Sequence, residues 1–417
     1  MLFDPASFPE TLRPGSHAVV AFSGGLDTSL CVLMLQREAH VRVTTITVDT
    51  GGFPPSELEE IEARSKELGA VGHHLLDGRQ AVYDDHIAYL IKGNVLRGGV
   101  YPLCVGAERV VQGREVARLA EKLGADLIVH GSTGAGNDQV RFEVAIAATC
   151  PGIPTWAPVR DLHITRAQSA EYLDQHGFPV PSSTTDYSIN AGLWGVTIGG
   201  KETHSPDGYP PEEAWPSTVS PAEAPGEGVH LTLGFEAGLP SSLNGKALGP
   251  LALLEEVRDL AAAHGVGRDI HLGDTILGIK GRIAFEAPAA AVLLPAHREL
   301  EKLVLSRMQL FHKNQMGELY GAVLHEARWF DPVVRDIEAF LDSSQRRVSG
   351  EADLYLRQGT VTVRGVRSDF SMIAPELARY GEENALWDGR DAAGFSRIYG
   401  TQQLLSGLAE RRQEGGD

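Results

Sequence analysis

The chain has 417 residues, 42% of them apolar and 22% charged, enough for two or three domains at roughly 150 residues each, which excludes a disordered or disulfide-stapled peptide. Against 55 Asp and Glu stand 37 Lys and Arg, a net charge of −18 that repels nucleic-acid backbones and anionic lipid, so neither is expected as a partner. Cys31, Cys104 and Cys150 form no CxxC pair and imply no zinc site. With neither a basic start leading into an apolar stretch nor an apolar run of about 18 residues, the chain reads as reduced, membrane-free and cytoplasmic.

Residues 1–15, with Pro5, Pro9, Pro14 and Gly15, read as an irregular N-terminal arm. His17 to Phe22 suits a strand buried on both faces, and Thr28 to Arg37 continues as an apolar helix. Val41 to Val48 reads as a second strand, and Ser56 with Glu59 as a capping box opening a helix that stops at Gly69. A helix from about Arg109 to Lys122, a strand from Asp126 to His130 and a helix from about Thr165 to His176, closed by Gly177, complete the alternation. That order predicts an α/β, doubly wound parallel sheet over 16–180, with ligands outside the carboxyl ends of the strands. An α+β domain is expected over 181–390, with a strand from His230 to Phe235, a helix near Pro250 to His264 and a hairpin turning at Gln358-Gly359. The proline-rich stretch 206–225 reads as a surface loop, and Ser396 to Arg412, within 391–417, as an amphipathic helix whose Ile398, Leu404, Leu405 and Leu408 want a covering surface.

The first strand-to-helix turn is Ser23-Gly24-Gly25-Leu26-Asp27-Thr28-Ser29. Two glycines permit a sharp turn, and free helix amides with hydroxyls make a phosphate cradle. Asp27 reads either as an N-cap or as a direct or water-mediated partner of magnesium. The turn lacks the Walker and dinucleotide patterns and resembles the signature of the ATP pyrophosphatases, the HUP-like type. A second constellation, His130 to Phe142, sets three glycines with Thr133, Asn137, Asp138, Gln139 and Arg141 at a strand end, as a small-molecule loop or an ordinary capped turn. His130 reads as structural.

From His17 onward the chain resembles argininosuccinate synthases. The likeness is carried by SGGLDTS, by TGxGNDQVRFE ending at Glu143, by Tyr187-Ser188, Leu193-Trp194 and Leu243-Asn244-Gly245. It implies a ligase that uses ATP and Mg2+ to adenylate citrulline or another ureido substrate, then joins it to L-aspartate with release of AMP and pyrophosphate. It also implies a synthetase domain after the nucleotide-binding one and a C-terminal helix used in a homotetramer. By resemblance, Ala21, Phe22, Ser23, Gly24, Gly25, Leu26, Asp27, Thr28, Ser29, Val48 and Gly131 bind ATP. Thr133, Asn137 and Asp138 hold aspartate, and Tyr101, Asn137, Arg141, Ser188, Thr197 and Phe285 hold the ureido substrate. Asp27, Asn137 and Asp138 carry the catalytic roles, with Asp27 as an indirect magnesium contact.

The sequence departs from that family at several positions. Cys104-Val105-Gly106 stands where the family has Gly-Thr-Ser, Ala135 where it has Lys, Thr197 where it has Ser, Phe285 where it has Tyr, and Gly273 where it has a Glu that contacts citrulline. The lost polar groups make a different ureido or amide substrate a rival to citrulline. A non-catalytic nucleotide-binding paralogue is a second alternative. A tRNA-thiolating enzyme is a third, lacking here its cysteine pair and basic surface.

Overall fold

A sheet covered by helices on both sides needs strands that are apolar on both faces, and His17–Ala21 (β1) is such a strand. Ala18 and Val20 join one apolar layer with Leu30, Leu33 and Leu173, and Val19 joins the opposite layer with Val116, Ala120 and Ile146. The structure, a computed structural model, describes residues 8–179, 187–381 and 385–414. After β1 the chain runs through α1 (Leu26–Arg37), β2 (Arg42–Asp49), α2 (Pro55–Glu67), β3 (Gly72–Asp77), α3 (Arg79–Val82), a π-helical turn (Tyr83–Ile87) and α4 (Ala88–Gly93). It continues with α5 (Gly106–Lys122), β4 (Leu127–His130), α6 (Asp138–Thr149), β5 (Thr155–Trp156), α7 (Pro158–Asp161) and α8 (Arg166–Gln175). All five strands are parallel, in the order β3-β2-β1-β4-β5. The order reverses at β1, so the crevice between the carboxyl ends of β1 and β4 is the topological switch point.

Local chemistry sets the helix ends. Thr165 caps α8 in a reciprocal box with Gln168, and Gly177 follows with φ +85°. The expected box of Ser56 with Glu59 does not form. Pro54 is the N-cap of α2 and Pro55 starts its first turn, so the fixed proline φ begins the helix upstream and places Ser56 inside it. In the described part of the N-terminal arm, Phe8 and Leu12 pack on the layer below, with the Phe8 and Trp156 rings 5.4 Å apart. Residues 1–7 of that arm, and 181–186 at the start of the expected second domain, lie outside the described residues.

Beyond residue 187 the chain forms β6 (Tyr187–Gly192), β7 (Gly195–Gly200), β8 (Val229–Glu236), β9 (Leu239–Leu243), β10 (Lys246–Ala247), α9 (Pro250–Ala263), β11 (Arg268–Asp274) and β12 (Lys280–Glu286). Then come α10 (Pro288–Val304), α11 (Arg307–His325), α12 (Pro332–Gln345), β13 (Gly350–Arg357) and β14 (Thr360–Arg367). The strands make two antiparallel sheets, β10-β9-β8-β13-β14 and β11-β12-β7-β6. Gln358 and Gly359, at φ +41° and +80°, turn the β13–β14 hairpin as expected, with Arg357 opposite Thr360. The 206–225 stretch is largely irregular, with one short 3-10 turn at Glu212–Ala214, but it is not wholly on the surface. Trp215 packs with Ile198 and Ala284, and the Thr218 hydroxyl donates to Glu286 at 2.6 Å, pinning the loop to the four-stranded sheet. Deeper in, Lys313 donates to Glu301 at 2.7 Å with both side chains wholly buried, and His297, Asn94 and Gln345 complete the hydrogen bonding that such a pair requires.

Residues 370–417 form a separate unit. Among its described residues, Asp388 caps α13 (Gly389–Tyr399), Gly400 ends it, and α14 (Thr401–Glu414) follows. The expected amphipathic stretch therefore spans two helices. Ile398, Leu404 and Leu405 are exposed in this chain, at 79%, 62% and 59%.

Candidate functional site

At the carboxyl end of β1 the chain turns through Gly24, φ +74°, into Gly25, the N-cap of α1. Glycine has no side chain with which to cap, so the first-turn amides of α1 receive no side-chain acceptor. Asp27 is not the cap; it sits in the first turn beyond it, where negative charge suits the helix dipole. Its Oδ1 is buried with no hydrogen-bond partner among the described residues. Burial pushes the Asp27 carboxyl up from the usual carboxylate range, against an opposing pull from Arg166. Thr28 Oγ1 ties the loop to itself, lying 3.3 Å from Ser23 Oγ and from the Gly25 carbonyl, and Ser29 Oγ donates to the Gly24 carbonyl at 3.4 Å. Phe22 is buried and its amide donates to Ile46 at 2.8 Å. Ala21 ends β1, while Val48, the penultimate residue of β2, buries its side chain in the layer with Val19.

Gly131, just after β4, faces this loop across the switch point. A Cβ on Gly131 would stand 3.1 Å from the Asp27 carbonyl carbon and from the Thr28 amide nitrogen, tighter than most real contacts. Gln139 then staples the glycine-rich stretch, donating to the carbonyls of Gly134 at 2.6 Å and Gly136 at 3.2 Å. Thr133 is exposed on that stretch. His130 stacks on Phe142 at 5.6 Å and stands 3.8 Å from Glu143, which pairs with Arg160 at 2.6 Å.

The stretch leads directly into α6, where Asp138 bridges two guanidiniums: Arg109 Nε donates to Oδ2 at 2.9 Å and Arg141 to Oδ1 at 3.1 Å. Burial alone would raise its pKa, but Arg109 and Arg141 overcome that and hold the carboxyl below the usual range. Arg109 also donates to Asn190 Oδ1 at 2.8 Å. Asn137 Oδ1 accepts from the Ile276 amide at 2.9 Å, bringing the β11–β12 connection to the site.

Tyr101 stacks on His271 at 5.5 Å and meets Phe285 at 5.1 Å. Phe285 pairs with Thr197, and Thr197 with Asn190, so the three share one cross-strand row; Ser188 lies two residues before Asn190 on the same face. Tyr101, Asp138, Arg141, Thr197 and Phe285 are thus linked through named contacts and pairings, Asn137 adjoins them as Asp138's chain neighbour, and Thr133 and Ser188 make none of those side-chain contacts. The departures have local partners. A Cβ on Gly106 would touch the Arg141 guanidinium at 3.5 Å, and one on Gly273 would collide with the His271 ring, which fills that space. Arg109, Asn190, His271 and His325 were not picked out by sequence reasoning. Their partners lie far along the chain, so no local pattern marks them. Glu108 was also missed: wholly buried, it accepts from Thr50 at 3.2 Å, and burial pushes its carboxyl up to about 8.

A parallel sheet carrying an uncapped helix N-terminus and a glycine turn at its switch point is the arrangement with which open α/β sheets receive nucleotide phosphates. Residues 17–179 match the arginosuccinate synthase N-terminal HUP domain and residues 187–405 the arginosuccinate synthase C-terminal domain. The argininosuccinate synthase of Methanocaldococcus jannaschii is 38% identical over 396 residues, covering 95% of this chain and 99% of the relative. That of Pyrococcus furiosus is 36% identical over 388 residues, 93% of each, and that of Dehalococcoides mccartyi strain CBDB1 38% over 388 residues, 93% and 95%. The chain belongs to the argininosuccinate synthase family, a family of ATP-using carbon–nitrogen ligases.

Proposed function

We propose that the chain joins citrulline to L-aspartate at the expense of ATP, releasing AMP and pyrophosphate in the manner of arginine biosynthesis. Its membership of the family along nearly its whole length carries this reading and does not favour a non-citrulline acceptor or a non-catalytic paralogue. The ureido oxygen of citrulline attacks the α-phosphorus of ATP, pyrophosphate leaves, and the aspartate amine then displaces AMP from the ureido carbon. Both partners are weakly reactive, so positioning and charge neutralisation must lower the barrier.

On this reading the Ser23 to Ser29 turn, with Ala21, Phe22, Val48 and Gly131 around it, holds the nucleotide, its phosphates facing the uncapped amides of α1. The buried, unpaired Asp27 oxygen fits a magnesium contact, because Mg2+ usually takes one or two carboxylates together with substrate phosphates. Magnesium held by Asp27 would supply charge neutralisation for the departing pyrophosphate. Thr133, Asn137 and Asp138 hold aspartate, while Tyr101, Asn137, Arg141, Ser188, Thr197 and Phe285 hold citrulline. The domain plan that goes with these roles is nucleotide binding over 16–180, synthetase over 181–390 and assembly through 391–417. Phosphorus NMR of a complete reaction is expected to show AMP and pyrophosphate in equal amounts; ADP and phosphate would refute the reaction type.

A cytoplasmic location suits three buried free cysteines and described helices none of which is long and apolar enough to cross a membrane. We also propose a homotetramer built partly by the C-terminal unit, whose exposed Phe395, Ile398, Leu404 and Leu405 are candidates for burial against further copies. Light scattering of the full chain is expected to give four copies, and removal of residues 389–417 smaller species; a monomeric full chain would overturn the assembly.

A further inference from the structure

Arg141 is 6% exposed and its guanidinium is held by two residues. One terminal nitrogen donates to Asp138 at 3.1 Å; the other donates to the His325 carbonyl at 3.2 Å and lies 3.3 Å from His325 Nδ1. His325 ends α11, where a helix leaves its carbonyls without intrahelical partners, so the guanidinium meets an existing need. His325 Nε2 lies 3.2 Å from the carbonyl of Asp274, at the end of β11. A guanidinium only donates and a carbonyl only accepts, so the ring carries its proton on Nε2 and presents a lone pair at Nδ1. The same Asp274 carbonyl accepts from Arg97 at 2.8 Å. The main chain of Arg97 bonds reciprocally to that of Tyr101, at 2.7 and 3.0 Å. One carbonyl thus joins the supports of Arg141 and Tyr101.

We infer that His325 is a positioning residue that aims Arg141 at the ureido substrate, and that the Asp274 carbonyl, shared with Arg97, ties this aim to Tyr101. The inference rests on the reading of Arg141 and Tyr101 as substrate contacts. Burial, with Arg141, Arg97 and His271 as the facing charged and titratable groups, pushes the His325 imidazole down to about 3, so it stays a neutral acceptor at neutral pH. Arg141 Nε is buried with no partner among the described residues, leaving that N–H unspent by the clamp.

His325→Phe keeps a ring of similar size and removes both nitrogens, whereas His325→Gln retains one acceptor and one donor. The Phe variant is expected to raise the citrulline KM by about 10- to 100-fold, as loss of a hydrogen bond to a charged group does, with the ATP KM within about twofold. The Gln variant should recover most of the loss. A folded Phe variant with unchanged citrulline KM, or a Gln variant no better than Phe, overturns the positioning role. Arg141→Ala, measured alongside, separates substrate contact from positioning. If it too leaves citrulline KM unchanged, the substrate reading itself has failed; if it raises KM while His325→Phe does not, only the positioning role falls. Should the Phe variant not fold, 15N NMR of the unmodified protein at pH 7 is expected to show His325 as the Nε2–H tautomer, and an Nδ1–H tautomer or an imidazolium overturns the inference.

Discussion

Asp27→Asn is expected to lower kcat by roughly 10²–10³, the cost of removing one well-placed electrostatic group from a transition state, while the protein stays folded. The carboxyl is displaced upward by burial, and Oδ1 has no hydrogen-bond partner among the described residues, so in the free protein its charge is a liability. A raised carboxyl pKa means the folded chain holds a proton that the unfolded chain has released, so Asp27 subtracts stability as pH rises through that window. An amide has no charge to lose, and the Asn variant should melt at the same temperature as the parent or slightly higher at neutral pH. Pyrophosphate release and thermal denaturation, measured together, test both halves. Full turnover in the variant would remove Asp27 from the mechanism, and a large drop in melting temperature would show that the carboxylate is structural.

Asp138→Ala should produce the other large loss. The carboxylate is shared by Arg109 and Arg141, and its removal leaves two guanidiniums facing each other without their common acceptor. Its side chain is 36% exposed, so water screens part of the penalty and the stability loss should be about 1–3 kcal/mol rather than that of a fully buried pair. The effect on turnover should be of similar size, with kcat/KM for aspartate and citrulline each falling on the order of a hundredfold as both arginines lose their orientation. The KM for ATP should stay within about twofold, since the Asp138 carboxylate bonds to Arg109 and Arg141 and not to the α1 turn. Because Asp138 is held below the usual carboxylate range, its contribution to stability is present at neutral pH and is lost as pH falls through that depressed value. An ATP KM that rose as much as that for aspartate would show that the nucleotide and amino-acid halves of the site are not separable in this way.

What was legible in the sequence was what short range determines. The Ser23–Ser29 glycine turn is contiguous, the Gln358-Gly359 hairpin needs two residues of positive φ, and the α8 cap needs Thr165 and Gln168 three apart. β3 escaped notice because its residues are half exposed and include His73 and His74, leaving no apolar run. α6 escaped because glycines precede it and its first turn is polar. The long-range partners were out of reach for a different reason. Arg109 meets Asp138 across 29 positions and Asn190 across 81, and His325 meets Arg141 across 184. Such pairs are created by strand order and helix crossing, which no local period encodes. The 206–225 loop shows the same limit, since prolines announce irregular backbone but not where Trp215 will bury its ring.

Gly131 leaves no slack between the two halves of the crevice. With a Cβ there brought to 3.1 Å of the Asp27–Thr28 backbone, the Ser23–Ser29 turn and the glycine-rich stretch are seated directly against each other. Gln139 fastens that stretch to the start of α6, one residue from Asp138. A side chain at position 131 would therefore wedge apart the two walls of the crevice, so the spacing between the Ser23–Ser29 turn and the segment leading to the Asp138 clamp is set by the one atom that residue lacks.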